Sequence, residues 1–421
     1  MSKDSTECRA TRRLTLPLVR LLLGTGPFDT WAAGEEVWGG GAWGGAVTFV
    51  HEVALLCAGS IVLVWIVYPL FIGILAARRR HMERTGPGKE SLPSVSVIIA
   101  TREDADTIRA RVADCLSAGR DVERFEVIVA IDARSRQTIP DDLVNSPDVR
   151  LVLGDEPGGK AATINAAVRA AQYELMVFTD AHQRFEPGAI ARLAMAFADS
   201  RVGAASGRLE LSGCASRSPV GRYWSYERWL RRCEAAVNSC VGATGAIWAI
   251  RRSLWSPLPA SLILDDVYTP MRVVLAGSRV AFVDDARATD LRNPDRSHEY
   301  HRKVRTLTGV LQLCCWLPEL LVPTRNPIWL QFVFHKLLRL LTPYWCIGVA
   351  TWLAVMLLRS LELRPVALGL PVFGLAALTT VRKVKIARLL ASAILWGVML
   401  QAALVTATLN GLRRQWDVWS A

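Results

Sequence analysis

The 421-residue chain is 51% hydrophobic, carries a net charge of +12 and has a mean hydropathy of +0.25. It is too apolar to be wholly soluble, and its basic residues are not interleaved with aromatics as a nucleic-acid groove requires. The excess reads as positive-inside charge and attraction to membrane lipids, with no nucleic-acid partner. Nine cysteines without a CxxC spacing give little support for a zinc site.

Residues 1–52 form an N-terminal segment in which 14–28, broken by Arg20, reads as an interfacial helix. Residues 53–77 contain no charge and are long enough to cross a bilayer as a helix. Arg78-Arg79-Arg80 follows, so the domain after it, residues 78–310, is expected on the cytoplasmic side. Residues 311–335 read as an interfacial helix region, with Trp316 and 317–322 facing lipid. Three further charge-free runs, 340–358, 365–381 and 389–412, read as transmembrane helices, and the basic loop 382–385 faces inward. The expected location is the cell membrane, multi-pass, with the catalytic domain cytoplasmic.

Within residues 78–310, strands and helices alternate. Strands are predicted at 95–100, 126–132, 149–154 and 174–180, with helices at 104–117 and 159–171 between them. That rhythm gives an α/β fold with a mostly parallel sheet. Later helices are predicted around 219–238 and 265–276. Asp180-Ala181-His182 closes the apolar run 175–178, at the strand end where open α/β sheets bind ligands. A carboxylate and an imidazole two residues apart can hold a divalent cation, and a cation there can grip a diphosphate. Gly154-x4-Gly159-Lys160 matches most of a P-loop, but Ala161 lacks the hydroxyl that such a loop gives to Mg²⁺. The first strand runs into Thr101-Arg102-Glu103-Asp104, without the glycines of a dinucleotide fold. His298-Glu299-Tyr300-His301 is one residue short of a zincin spacing.

Taken in order, these segments resemble the membrane-bound family 2 glycosyltransferases of GT-A fold, related to bacterial polysaccharide synthases. Residues 95–104 (VSVIIATRED) are similar to the opening strand and the acidic turn that contacts the nucleoside, which implicates Thr101 and Glu103. EVIVAIDARS at 126–135 resembles the second strand, with Asp132 as the uracil contact. GGKAATIN at 158–165 resembles the GGKxxxxN segment, whose lysine, Lys160, meets the diphosphate. FTDAHQRFEP at 178–187 resembles the DxD strand, with Asp180 and His182 as metal ligands. Ala243-Thr244-Gly245-Ala246 resembles the acceptor-side segment, and Leu264-Asp265-Asp266 the paired acids whose second member is the base.

Two departures stand out. His182 replaces the second acid of DxD, and near Arg305, where an acceptor-channel QxxRW is expected, the glutamine and tryptophan are absent. An imidazole favours Mn²⁺ over Mg²⁺ as the divalent cation. The resemblance implies inverting transfer from a UDP-sugar donor to a polysaccharide or lipid-linked acceptor. Single-sugar transfer to a polyprenyl phosphate is the alternative, and a non-catalytic scaffold or transporter the reading from another class. Asp265 is expected to cap its helix from a polar face. Asp266, on the more apolar side, should have a raised pKa suited to a base.

Overall fold

The computed structural model describes residues 42–80, 92–136, 147–212, 219–291, 296–360 and 385–416. The expected interfacial helix at 14–28, the span at 365–381 and residues 382–384 of the basic loop lie outside them.

Eight strands form one sheet in the order β3-β2-β1-β4-β7-β6-β8-β5. Its first half is built from β1 (Val95–Thr101), β2 (Phe125–Ile131), β3 (Val149–Leu153) and β4 (Leu175–Thr179), all parallel. Side chains alternate between two covered faces, which is why these strands read as unbroken apolar runs. Ile98, Ile128 and Phe178 enter one core, whereas Val97, Val127 and Val177 enter the other. Each such fully buried side chain contributes roughly 1.5–3 kcal/mol. Helix α3 (Ala105–Ala118) covers the second face, and α4 (Lys160–Ala170) the first.

The second half is mixed. Here β5 (Gln183–Phe185), β6 (Val202–Leu211), β7 (Trp248–Arg251) and β8 (Arg279–Asp290) join the sheet; α5 (Ala189–Met195) lies between β5 and β6. Three of the pairings are antiparallel: β4 with β7, β7 with β6, and β8 with β5. Helices α6 (Pro219–Val237) and α7 (Asp265–Leu275) lie close to the predicted 219–238 and 265–276.

Among the described residues, two helical stretches are long and apolar enough to cross a membrane, Val47–Arg79 and Trp329–Leu357. The first comprises α1 (Ala42–Val62), a π-turn at Leu63–Val67 and α2 (Tyr68–Arg80), so it starts before the predicted 53–77. Its apolar side chains Leu55, Leu56, Ile66 and Leu70 are exposed. The region expected as an interfacial helix is not one helix. Helix α8 (Arg296–Trp316) ends there, a 3₁₀ turn covers Pro318–Leu321, and α9 (Trp329–Phe332) follows. Leu317 and Leu320 join the domain core instead of facing outward. A proline cannot prolong the ladder of α8, and burying two leucines rewards the turn inward. Helices α10 (Thr342–Ser360) and α11 (Lys385–Leu412) complete the described residues.

Candidate active site

The carboxyl ends of β1, β2 and β4 and the start of α4 converge at one edge of the sheet, where open α/β sheets bind ligands. Lys160 is the first residue of α4, a poor place for a cation on helix-dipole grounds alone. The structure supplies the compensation. Its ammonium lies 3.2 Å from Asp180 Oδ1 and 3.1 Å from Asp265 Oδ1. Lys160 is therefore held by two carboxylates already present in the chain. Burial opposes its charge, but Asp180 and then Asp265 outweigh it and raise the pKa above the usual lysine value.

Asp265 is the first residue of α7, not its N-cap, which is Leu264. The expected capping role from a polar face fails because Asp265 is buried and its charge is turned into the cluster toward Lys160. Asp266 accepts a hydrogen bond from Gly245 N at 2.8 Å. Burial, and then the adjacent Asp265, push its pKa up to about 6. A Cβ on Gly245 would lie 3.3 Å from Asp266 Oδ2 and 3.6 Å from Asp180 Oδ2, so the two acids flank that glycine.

Several residues to which the motifs assigned no role hold this arrangement. Arg111, fully buried, donates to Thr179 Oγ1 at 2.6 Å, and that hydroxyl donates to Ala246 O at 2.7 Å. The end of β4 is thereby tied to the loop carrying Gly245. Asn165 exchanges two hydrogen bonds with the backbone of Leu258, at 2.9 and 2.8 Å. Gln312 on α8 donates to Ser261 O and accepts from Ile263 N, clamping the loop that enters Asp265. The sequence held a signal for this residue. Gln312-Leu313-Cys314-Cys315-Trp316 supplies the glutamine and tryptophan missing around Arg305, with Cys315 where the arginine would be. Arg305 itself lies half-buried in α8.

At the nucleoside side, Asp132 follows β2 and is nearly buried. It accepts from Gly159 N at 3.0 Å and from Arg134 N, Nε and Nη2 at 3.0, 3.3 and 3.1 Å. Burial would raise its pKa, but the Arg134 side chain and the Gly159 amide together hold it below the usual aspartate value. Gly158 has φ +85°, and a Cβ there would meet Asp132 Oδ1 at 2.6 Å, so only glycine fits. Thr101 accepts from Glu103 N at 3.0 Å, which shapes the turn after β1. Asp104 caps α3 by accepting from Thr107 N at 2.9 Å.

His182 is turned toward Glu103, with Nε2 3.2 Å from Oε1, while Asp180 faces Lys160. Among the described residues no three His, Cys, Asp or Glu side chains are grouped to hold a metal. The donor chemistry still fits a divalent cation as an incomplete set. Asp180 and His182 are each about one-third exposed and sit on one loop, so diphosphate oxygens and water would have to complete the shell.

Residues 96–256 match the model of "Glycosyl transferase family 2". No curated protein matched the chain by sequence. Among solved structures, the chain is similar to the mannosyltransferase PcManGT from Pyrobaculum calidifontis, in complex with GDP-Man and Mn²⁺. Identity is 21%, coverage 86% of this chain and 99% of that one, and the TM-score 0.61. Mannosyl-3-phosphoglycerate synthase from Rubrobacter xylanophilus aligns at 16% identity over 57% of this chain and 77% of its own, with a TM-score of 0.36. GalNAc-T7 with UDP, GalNAc and Mn²⁺ aligns at 12% over 54% and 48%, at 0.38. The first alignment shows a shared fold; the other two add nothing to it.

Proposed function

Because residues 96–256 form a family 2 glycosyltransferase domain on a GT-A fold, we propose that this enzyme transfers a sugar from a nucleotide-sugar donor to a glycan or lipid-linked acceptor, with inversion, at the cytoplasmic membrane face. One observation carries the reading: Lys160 lies between Asp180 and Asp265 at the carboxyl edge of the sheet, with Asp266 beside them on Gly245.

The acceptor oxygen forms a bond to the anomeric carbon as the bond to the diphosphate breaks, and the nucleoside diphosphate leaves. Asp266 takes the acceptor's proton, a role that suits a buried carboxylate with a pKa of about 6. Lys160 offsets negative charge on the departing diphosphate once donor oxygens compete for its ammonium. Asp180 and His182 would hold the divalent cation, which when bound supplies further charge stabilisation to the leaving group. Asp132 and Thr101 would face the nucleoside, with Arg134 moving off the Asp132 carboxylate. Gly245 lines the acceptor side.

UDP is the favoured nucleotide because the segment around Asp132 resembles a uracil site. PcManGT, of the same fold, was solved with GDP-Man, so GDP-sugars belong in the test. The full chain in detergent, given labelled UDP- and GDP-sugars with membrane lipid extract, should release nucleotide and yield a β-linked product from an α-linked donor. Activity should need a divalent cation, with Mn²⁺ ahead of Mg²⁺. Asp180→Ala should lose nearly all turnover, and His182→Ala should lose less while narrowing the Mn²⁺ preference. Full activity in a chelator would remove the metal from this reading, and no nucleotide release from any donor would sink the reading itself.

A further inference from the structure

Helix α3 buries Ile108, Arg111, Val112, Cys115 and Ala118, the i, i+3, i+4, i+7 spacing of a core-facing stripe. Four of these are apolar, and the fifth is an arginine whose side chain is wholly buried. Taking a guanidinium out of water is costly, and well-packed apolar side chains commonly serve as well or better in such a seat. Stability alone therefore does not account for Arg111. Its buried Nε even lacks a hydrogen-bond partner among the described residues.

The rest of the guanidinium grips one short turn from both sides. Strand β4 ends at Thr179 and β5 begins at Gln183, so Asp180-Ala181-His182 is the whole connection. Before the turn, Arg111 Nη2 donates to Thr179 Oγ1 at 2.6 Å. After it, the guanidinium lies 4.0 Å from the centre of the Phe185 ring. Arg111 Nη1 donates to Asp114 Oδ2, and that same oxygen accepts from Phe185 N at 3.1 Å. One buried ion pair thus brackets the turn that carries Asp180 and His182.

Thr179 carries the grip further. Its hydroxyl has one hydrogen, which goes to Ala246 O at 2.7 Å, while its oxygen accepts from Arg111. The β4–β7 ladder stops at Phe178 and Trp248, so this side-chain bond continues the connection where the backbone one ends. Gly245, the residue before Ala246, donates its N–H to Asp266 Oδ2 at 2.8 Å. Arg111, Thr179, the 245–246 segment and Asp266 therefore form one relay. It runs from a covering helix to the proposed base, across segments 68 and then 67 positions apart in sequence.

We propose that Arg111, acting through Thr179, is a positioning residue that fixes the Asp180–His182 turn on the donor side against Asp266 on the acceptor side. It touches neither substrate. Transfer needs the acceptor oxygen, the anomeric carbon and the departing oxygen in line, and small misplacements are expensive in rate. Cutting the Thr179 link should slow transfer and spare donor binding. Removing Arg111 and Asp114 together frees the turn as well, and should harm both. The inference rests on the glycosyltransferase reading above, but its first test needs no donor.

Hydrogen exchange of the full chain in detergent, read by mass spectrometry, has two reporter amides. Gly245 N–H is bonded to Asp266, and Phe185 N–H to Asp114. Thr179→Val keeps the side chain's shape and removes its hydroxyl. It should quicken exchange in peptides carrying Gly245 and leave those carrying Phe185 unchanged. Arg111→Met combined with Asp114→Ala, which together leave no unpaired charge, should quicken both. A melting temperature near wild type would certify the fold of Thr179→Val. At saturating donor, Thr179→Val should transfer about tenfold to a hundredfold more slowly, with the Michaelis constant for the donor unchanged. Thr179→Ser, which restores the hydroxyl, should recover most of the rate. A merely structural threonine gives neither that rescue nor that split between rate and Michaelis constant. The proposal is overturned if folded Thr179→Val matches wild type in Gly245 exchange or in transfer rate, or if its loss falls on the Michaelis constant. It is equally overturned if Thr179→Ser is as slow as Thr179→Val. Failure of the glycosyltransferase reading would show separately, as no nucleotide release by wild type from any donor.

Discussion

Two charged networks lie within this chain, and they are satisfied in opposite ways. In the first, Asp180, Asp265 and Asp266 surround one ammonium, that of Lys160. Asp180 Oδ2, Asp265 Oδ2 and Asp266 Oδ1 have no hydrogen-bond partner among the described residues. In the second, where α2, α6 and the segment after α9 meet, every carboxylate oxygen is met. Glu234 Oε1 takes bonds from Tyr68 Oη at 2.5 Å and His335 Nδ1 at 2.9 Å, and Oε2 lies 2.9 Å from the same nitrogen. Glu227 Oε2 faces His335 Nε2 at 3.0 Å, and its Oε1 is held by Arg339. Burial would raise the Glu227 pKa, yet Arg339 and His335 together keep it well below the usual glutamate value. The closed network has nothing left to offer a ligand, so it fixes a junction. The open one keeps oxygens free and a carboxylate near neutrality, which is what proton transfer needs.

The largest contrast should appear on removing one acid from each. Asp266→Asn should lower transfer by about 10²–10⁴-fold while nucleotide-sugar binding persists, as expected for loss of a positioned base. Its melting temperature should hold or rise, because one of three acids crowded around a single lysine has been neutralised. Asp265→Asn, in contrast, removes a direct partner of Lys160 and should lower stability. A folded, donor-binding Asp265→Asn that is inactive beside an active Asp266→Asn would reverse the assignment. In the closed network, Glu234→Ala leaves His335 and Tyr68 buried without their acceptor, and should cost about 3–5 kcal/mol of stability. The surviving folded fraction should transfer sugar at the wild-type rate. A melting curve unchanged by Glu234→Ala would show that the network does not hold the junction.

The two networks also differ in how far the sequence announces them. Asp180 and Lys160 stand at the ends of long apolar or helical patterns, so both were legible from residue types and spacing. The parallel strands β1 to β4 were legible for the same reason. Strands β5 to β8 were not: β5 and β7 are only three and four residues long, and β6 is bulged against β8. Glu234 and His335 are separated by 101 positions and by three kinds of helical turn, and no local pattern joins them. The inward turn of Asp265 is not legible, because helical periodicity gives the angle between neighbours but not which face meets Lys160. Gln312 lies in no strand or helix-start pattern that points to the loop 261–263, so its clamp is visible only in the fold.

pH should separate the networks further. Transfer should rise with pH through about 6 as Asp266 ionises, and level off above. Stability moves the other way. The folded chain holds the Asp266 proton more tightly than the unfolded chain, whose aspartate titrates near 3.8. This contribution is full below 3.8 and is lost as pH rises through about 6. Asp266→Asn should abolish both slopes, and melting temperatures measured from pH 4 to 7 would show it. A pH profile of stability identical in wild type and Asp266→Asn would remove Asp266 as the titrating group.

The smallest expected effect lies at the turn after β1, between Glu103 and Asp104. Adjacent acids in an active-site turn invite the same role, but their contacts differ. Asp104 sits before α3 in extended geometry and accepts from Thr107 N at 2.9 Å and Thr107 Oγ1 at 3.0 Å. Those bonds, first the backbone one and then the side-chain one, lower its pKa. Glu103 instead meets His182 Nε2 across the site, at 3.2 Å. Asp104→Ala should therefore lower the melting temperature slightly, through loss of a helix cap, and leave the Michaelis constant for the donor unchanged. Asp104→Asn or Asp104→Ser, which can still cap, should recover most of that stability. Glu103→Gln should do the opposite, sparing stability and altering the metal dependence through His182. If Asp104→Ala weakened donor binding with its melting temperature intact, the carboxylate would belong to the nucleoside site and not to the helix.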